Sequence, residues 1–138
     1  MQLSTHLGFN GQCEEAFKFY EKVLGGKIVM MMPYGGSPAE NAVPAEHRNK
    51  IMHARLMVDG QALMGADAPP GHEGHAHGYS VSVQVNDAAE AKRIYDALAE
   101  GGNQYMPFQA TFWSPGFGMC TDRFGIPWMV NTDGPPQG

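Results

Sequence analysis

Residues 112–131, FWSPGFGMCTDRFGIPWMVN, decide how the chain is read. An apolar run, a turn over residues 122–125 and a second apolar run predict a β-hairpin. Gly125 can supply the positive φ such a turn needs, and Asp122 can close it through its own side chain. A second hairpin, VDGQALM at 58–64, matches DRFGIPWM at 122–129, with Met64 and Met129 in equivalent places. That equivalence is the first sign of an internal repeat, and the repeat governs the architecture.

Upstream of each hairpin the same order of elements recurs. In the first half, Leu3, Thr5, Leu7 and Phe9 alternate with Ser4, His6 and Gly8, which predicts a half-buried strand over 3–9. After a turn at Asn10 and Gly11 comes a helix over 14–24, with Ala16, Phe17, Tyr20, Val23 and Leu24 on one stripe. Gly25 and Gly26 stop it. The run KIVMMM at 27–32 is a strand by its β-branched and apolar content. Residues 33–50 hold Gly, Pro and charge without periodicity, a long surface loop that is either a lid or a connector. Residues 51–58 alternate again, Met52, Ala54, Leu56 and Val58 on one face, Ile51, His53, Arg55 and Met57 on the other. Asp59–Gly60 is a strong two-residue turn signal, returning as a strand over 61–67.

The second half repeats this. YSVSVQV at 79–85 alternates, Asp87-x-x-Glu90 has the form of a capping box, and a helix over 88–100 ends at Gly101 and Gly102. A strand follows over 103 to about 112, with Pro107 suited to an edge or a bulge. Glu15, Ala16, Tyr20, Val23 and Gly26 match Glu90, Ala91, Tyr95, Leu98 and Gly101. Each half is therefore a βαβββ module, about 1–68 and about 78–132, with a tail over 133–138.

Composition excludes several classes. The chain of 138 residues is 43% hydrophobic and 17% charged, an ordinary globular mix, with a net charge of -5. That charge and the lack of any Lys/Arg run exclude a nucleic-acid partner. No apolar run reaches a membrane span and the first residues have no leader pattern, so a cytoplasmic protein is expected. Cys13 and Cys120 make no disulfide framework. Cys13 falls in the first turn of a helix, where the dipole could lower its pKa, but no His base adjoins it. A small buried hydrophobe is the expected role.

The repeat, with FNGQCEEAFKFY at 9–20, IMHARLMVDGQALMGAD at 51–67 and the opening motif, resembles the PhnB-like subfamily of the vicinal oxygen chelate superfamily. Glyoxalase I, bleomycin-resistance proteins and extradiol dioxygenases belong to that superfamily. The resemblance spans nearly the whole chain. It implies an α+β fold: two βαβββ modules whose strands form a U-shaped, incompletely closed mixed barrel around a cleft, with the helices outside. It also implies a homodimer. The subfamily's methyltransferase label finds no Gly-rich nucleotide loop here.

Metal-dependent members place His or Glu at four strand ends. Carried over through the repeat, those positions are His6, Met64, Ser80 and Met129. Two thioethers and a hydroxyl do not suit a divalent ion, so no metal and no cofactor is expected. His72, His75 and His77 with Glu73 form either a surface metal site or a flexible linker.

What remains is a cleft lined by His6, His53, Arg55, Met57, Met64, Ser80, Ser82, Gln84 and Met129, with Trp113, Phe117 and Trp128 as aromatic candidates. Apolar walls with a few polar groups describe a small-molecule site. Arg55 either holds a ligand carboxylate or phosphate, or pairs with Asp67. His53 offers a general base. Three readings result: a metal-free small-molecule binding protein, an enzyme of the same superfamily acting on a small anionic or aromatic substrate, and a dimeric scaffold. The absent ligands favour the first.

Overall fold

A computed structural model describes residues 1–72, 74 and 78–133. They fall into two compact units, divided between residues 75 and 76. The first holds β1 (Thr5–Phe9), α1 (Cys13–Leu24), β2 (Lys27–Pro33), β3 (Ile51–Val58) and β4 (Gln61–Asp67). The second holds β5 (Val81–Val85), α2 (Ala88–Ala99), β6 (Asn103–Gln109), β7 (Phe117–Thr121) and β8 (Pro127–Thr132). The sheet orders are β1-β4-β3-β2 and β5-β8-β7-β6. In each, the first strand runs parallel to the last while the other pairs are antiparallel. Both modules are therefore βαβββ units built on a mixed four-stranded sheet, the α+β architecture expected from the repeat.

Local chemistry explains these elements. In α1, Ala16, Phe17, Tyr20 and Val23 are buried on one stripe, and Gly25 ends the helix at φ 71° with its N–H on the Glu21 carbonyl at 3.1 Å. In α2, the Asp87 carboxylate accepts from the Glu90 N–H at 3.1 Å, the expected cap. Glu90 pairs with Arg93 at 2.6 Å. The β3–β4 turn needs positive φ at both central residues, and Asp59 and Gly60 adopt 48° and 78°. The β7–β8 turn is longer. Asp122 Oδ1 accepts from the N–H groups of Phe124 and Ile126 at 2.9 and 3.0 Å, and Oδ2 from Trp128 Nε1 at 2.9 Å. Gly125 sits at φ 89°, as the motif predicts.

Each helix covers one face of its own sheet, and two glycines let it approach. A Cβ on Gly65 would lie 2.7 Å from the Phe17 ring, and one on Gly118 would lie 2.8 Å from the Tyr95 ring. Phe17, Tyr20, Tyr95 and Trp128 are almost fully buried. Each such ring removed from water contributes on the order of 2 to 3 kcal/mol.

Several expectations are corrected. Leu3 lies before β1 and is 91% exposed. Tyr79 and Ser80 precede β5, and β6 ends at Gln109, short of residue 112. Ile51 changes face: Met32 pairs with His53 but Pro33 with Ile51, so the register slips at Met52 and Ile51 becomes buried. Trp128 belongs to the core of its module, 1% exposed, and is no cleft wall. Pro107 does sit on an edge strand, β6, beside register shifts.

Residues 33–50 are a packed connector with two short 3-10 turns, Glu40–Ala42 and Ala45–His47. Tyr34 and Val43 are buried, and the Tyr34 hydroxyl donates to the Asp67 carbonyl at 2.9 Å. Of the histidine tract, Glu73, His75 and His77 lie outside the described residues. No helix among the described residues is long and apolar enough to cross a membrane.

Candidate functional site

Strand pairing fixes which side chains share the face that α1 leaves open. The close approach of Gly65 to Phe17 puts Gly65, with its partners Leu7 and Ala54, on the helix side. The alternate residues then face away. One cross-strand row on that open face is His6–Met64–Arg55–Met30. Beside it, His53 pairs with Met32, and by alternation Gly8 and Ala66 complete that row. On the other flank Lys27 pairs with Met57, and Met57 with Ala62. The sequence reading found His6, His53, Arg55, Met57 and Met64. It missed Met30 and Met32, 41% and 37% exposed. Alternation could not place them, because β2 carries a register shift between Ile28 and Met30.

His53, Arg55 and Met64 are half-buried and His6 is exposed as a whole residue. The sheet surface around the His6 ring disfavours its charged form, and the neighbouring His53 adds to this, so its pKa lies below 6.5. A Cβ at Gly8 would meet nothing within 4 Å, so the sheet surface next to His6 is open.

Arg55 does not pair with Asp67, the alternative left open by the sequence. Asp67 is on the helix side and 1% exposed. Its Oδ1 accepts from the N–H groups of Gly11 and Cys13 at 2.9 and 3.0 Å, and its Oδ2 from Ile51 at 2.9 Å. Among the described residues Arg55 has no ion-pair partner. Cys13, packed against this carboxylate, is fully buried. Burial, then Asp67 and Glu14, push its thiol up to about 12, the reverse of a dipole-activated nucleophile.

In the second module the corresponding row is Ser82–Met129–Met119–Met106. Met129 pairs with Ser82, so Ser82 is the counterpart of His6 and Ser80 is not. Ser80 stands just outside the strand. The adjoining row is Gln84–Asn131–Phe117–Gln109. Asn131 was missed by sequence, and its Oδ1 is buried with no hydrogen-bond partner. Trp113 is off the sheet in the 110–116 connection, 44% exposed, its ring 4.7 Å from Phe112 and 5.4 Å from Phe117.

The four strand positions that the resemblance points to, with Ser82 in place of Ser80, carry one imidazole, two thioethers and one hydroxyl. Such a set does not fit Zn²⁺, Ni²⁺, Fe²⁺ or Mn²⁺, which take imidazole and carboxylate. Among the described residues no group of three or more His, Cys, Asp or Glu is placed to hold an ion.

The family model described as 3-demethylubiquinone-9 3-methyltransferase matches residues 1–131. Protein YjdN of Escherichia coli is 34% identical over 139 residues, 95% of each chain. Protein PA1353 from Pseudomonas aeruginosa is 48% identical, with a TM-score of 0.89 over 96% of this chain and 98% of that one. A PhnB protein from Bacillus cereus shares the fold at 24% identity and a TM-score of 0.81, covering 96% and 100%. A glyoxylase/bleomycin resistance protein/dioxygenase domain from Frankia shares it at 13% identity and a TM-score of 0.65, covering 97% and 98%.

Proposed function

We infer the function from one premise: the chain belongs to the 3-demethylubiquinone-9 3-methyltransferase family, PhnB-like proteins of the glyoxalase/bleomycin resistance/dioxygenase superfamily. We propose that it is a small-molecule binding protein of that superfamily and that it works without the superfamily's metal. One observation carries this reading. The two open-face rows put thioethers and a hydroxyl where a metal site needs anionic or imidazole donors. The same rows offer adaptable apolar contact with a few polar groups, the composition of an organic-ligand site.

Methyl transfer, named in the family's description, finds less support. The turns that enter α1 and α2, Asn10–Gly11–Gln12 and Asn86–Asp87, are short, and neither is the Gly-rich loop that cradles a nucleotide cofactor. The runner-up is a metal-independent enzyme. His53 and Arg55 share a face with His6, which supplies a base and a cation side by side. The exposed edges β2 and β6, where Val29 is 51% and Tyr105 68% exposed, support a homodimer, which sedimentation equilibrium at micromolar concentration tests.

Thermal melting of the full chain tests the binding reading. Small aromatic compounds are expected to raise the midpoint saturably, since a ligand of the folded state alone stabilises it. Zn²⁺ and Ni²⁺ are expected to leave it unchanged. A saturable rise with zinc that disappears in His6→Asn would overturn the metal-free reading.

A further inference from the structure

The eight strands carry almost no negative charge. The chain has 14 Asp and Glu residues, yet among the described residues the single one within a strand is Asp67, facing the helix and occupied by three backbone N–H groups. Cations are placed differently. Lys27, Arg55 and the two imidazoles His6 and His53 all lie on the open face of the first sheet. Among the described strand residues of a protein of net charge -5, no carboxylate stands on the sheet face that bears Arg55. Arg55 is half-buried as a residue and stands between two methionines in its row, and among the described residues its N–H donors have no protein partner.

The repeat sharpens this. Since Ala54, Gly65 and Leu7 stand in one row and Gly118, Val130 and Val83 in the matching one, the open-face positions can be compared one by one. Met64 matches Met129 and Met30 matches Met106, but Arg55 matches Met119, His53 matches Phe117 and His6 matches Ser82. The scaffold holds its shape with neutral residues at all three places. The basic set in the first module is therefore not needed to build a βαβββ unit.

Resting on the small-molecule reading above, we infer that the ligand is a small organic oxyanion, a carboxylate or a phosphate ester. Its anionic group is held by the Arg55 fork on the open face of β3, its carbon body against Met30, Met32 and Met64. Planar N–H pairs match the two oxygens of such a group, and a charge-assisted pair of this kind is stronger where water is partly excluded. His6 and His53 extend the donor set beside it, and the methionines adapt to the body.

Calorimetric titration of the full chain with benzoate, phenyl phosphate and neutral benzamide tests this. Benzoate or phenyl phosphate is expected to bind at least about tenfold more tightly than benzamide, the factor expected when a charged hydrogen-bonded pair replaces a neutral one. Which of the two binds tighter tells the carboxylate from the phosphate source. In Arg55→Met, which copies Met119 of the second module, the preference is expected to vanish. Lys18→Met, on the outer surface of α1, is expected to leave it intact. Should Arg55→Met fail to fold, the anion-to-amide ratio of the unaltered protein still decides. Benzamide binding as tightly as both anions, or the preference surviving in Arg55→Met, would overturn the anion inference and leave the binding reading standing. No heat from any of the three at millimolar concentration would count against both.

Discussion

His6 is where the chemistry of the open face can be watched at a single atom group. Its pKa is held below 6.5 by the sheet surface around the ring and by His53. The sign follows from linkage. Well above 6.5 the imidazole is neutral in folded and unfolded chains and contributes nothing to the pH dependence. As pH falls from 6.5 toward the lowered folded value, the unfolded chain takes up a proton that the folded chain resists, so stability falls with pH. The His6 Cε1 proton should therefore titrate in NMR with a midpoint below 6.5, and His6→Asn should flatten the loss of stability across that window. The effect is small because the residue is exposed. A midpoint at or above 6.5 would contradict the packing of the His6 ring on the sheet surface beside His53.

At the scale of elements, caps and turns were legible because each rests on one residue's chemistry: Gly25, Asp87, Asp59–Gly60, and Asp122 with Gly125. Faces were legible only where pairing is regular. The slip at Met52 reverses Ile51, and the one in β2 hides Met30 and Met32, since no local signal marks a bulge that neighbouring strands impose. Sequence alone points to Ser80 and not Ser82 as the counterpart of His6 for a related reason. The repeat has a different offset in each element: 76 for the first strands (82 minus 6), 75 for the helices (88 minus 13) and 65 for the hairpins (129 minus 64). Packing between elements yields its own prediction. Gly65 has no room for a methyl group, because the Phe17 ring is at 2.7 Å and the Leu7 carbonyl at 3.1 Å. Gly65→Ala should destabilise by about 1 to 3 kcal/mol, as overpacking does in a filled core. Chemical denaturation checks this, and Gly36→Ala is a useful comparison. It has open space but a φ of 82°, so its cost is backbone strain alone, about 1 kcal/mol.

For the whole molecule, the repeat explains both what the two modules share and where they differ. They share the buried helix stripe and the methionine at the centre of the open face, and each admits its helix at a glycine, Gly65 on β4 in one and Gly118 on β7 in the other. They differ in the residues flanking that methionine, basic in one and neutral in the other, which a reading of hydrophobic alternation treats alike. The family was legible for this reason, while the surroundings of Arg55 were not. Asp67 looked available in sequence, and only the strand pairing shows it turned away and saturated. The central claim is that the open face around Arg55 takes a small organic anion without a divalent metal. The most direct measurement is anomalous scattering from crystals of the full chain grown with 4-bromobenzoate and Zn²⁺. The account predicts a bromine peak over the open face of β3 and β4, with the carboxylate on the Arg55 guanidinium. A zinc peak confined to the His72 segment leaves that prediction untouched. A zinc peak within bonding distance of His6 and a second protein ligand, with no bromine near Arg55, would contradict it.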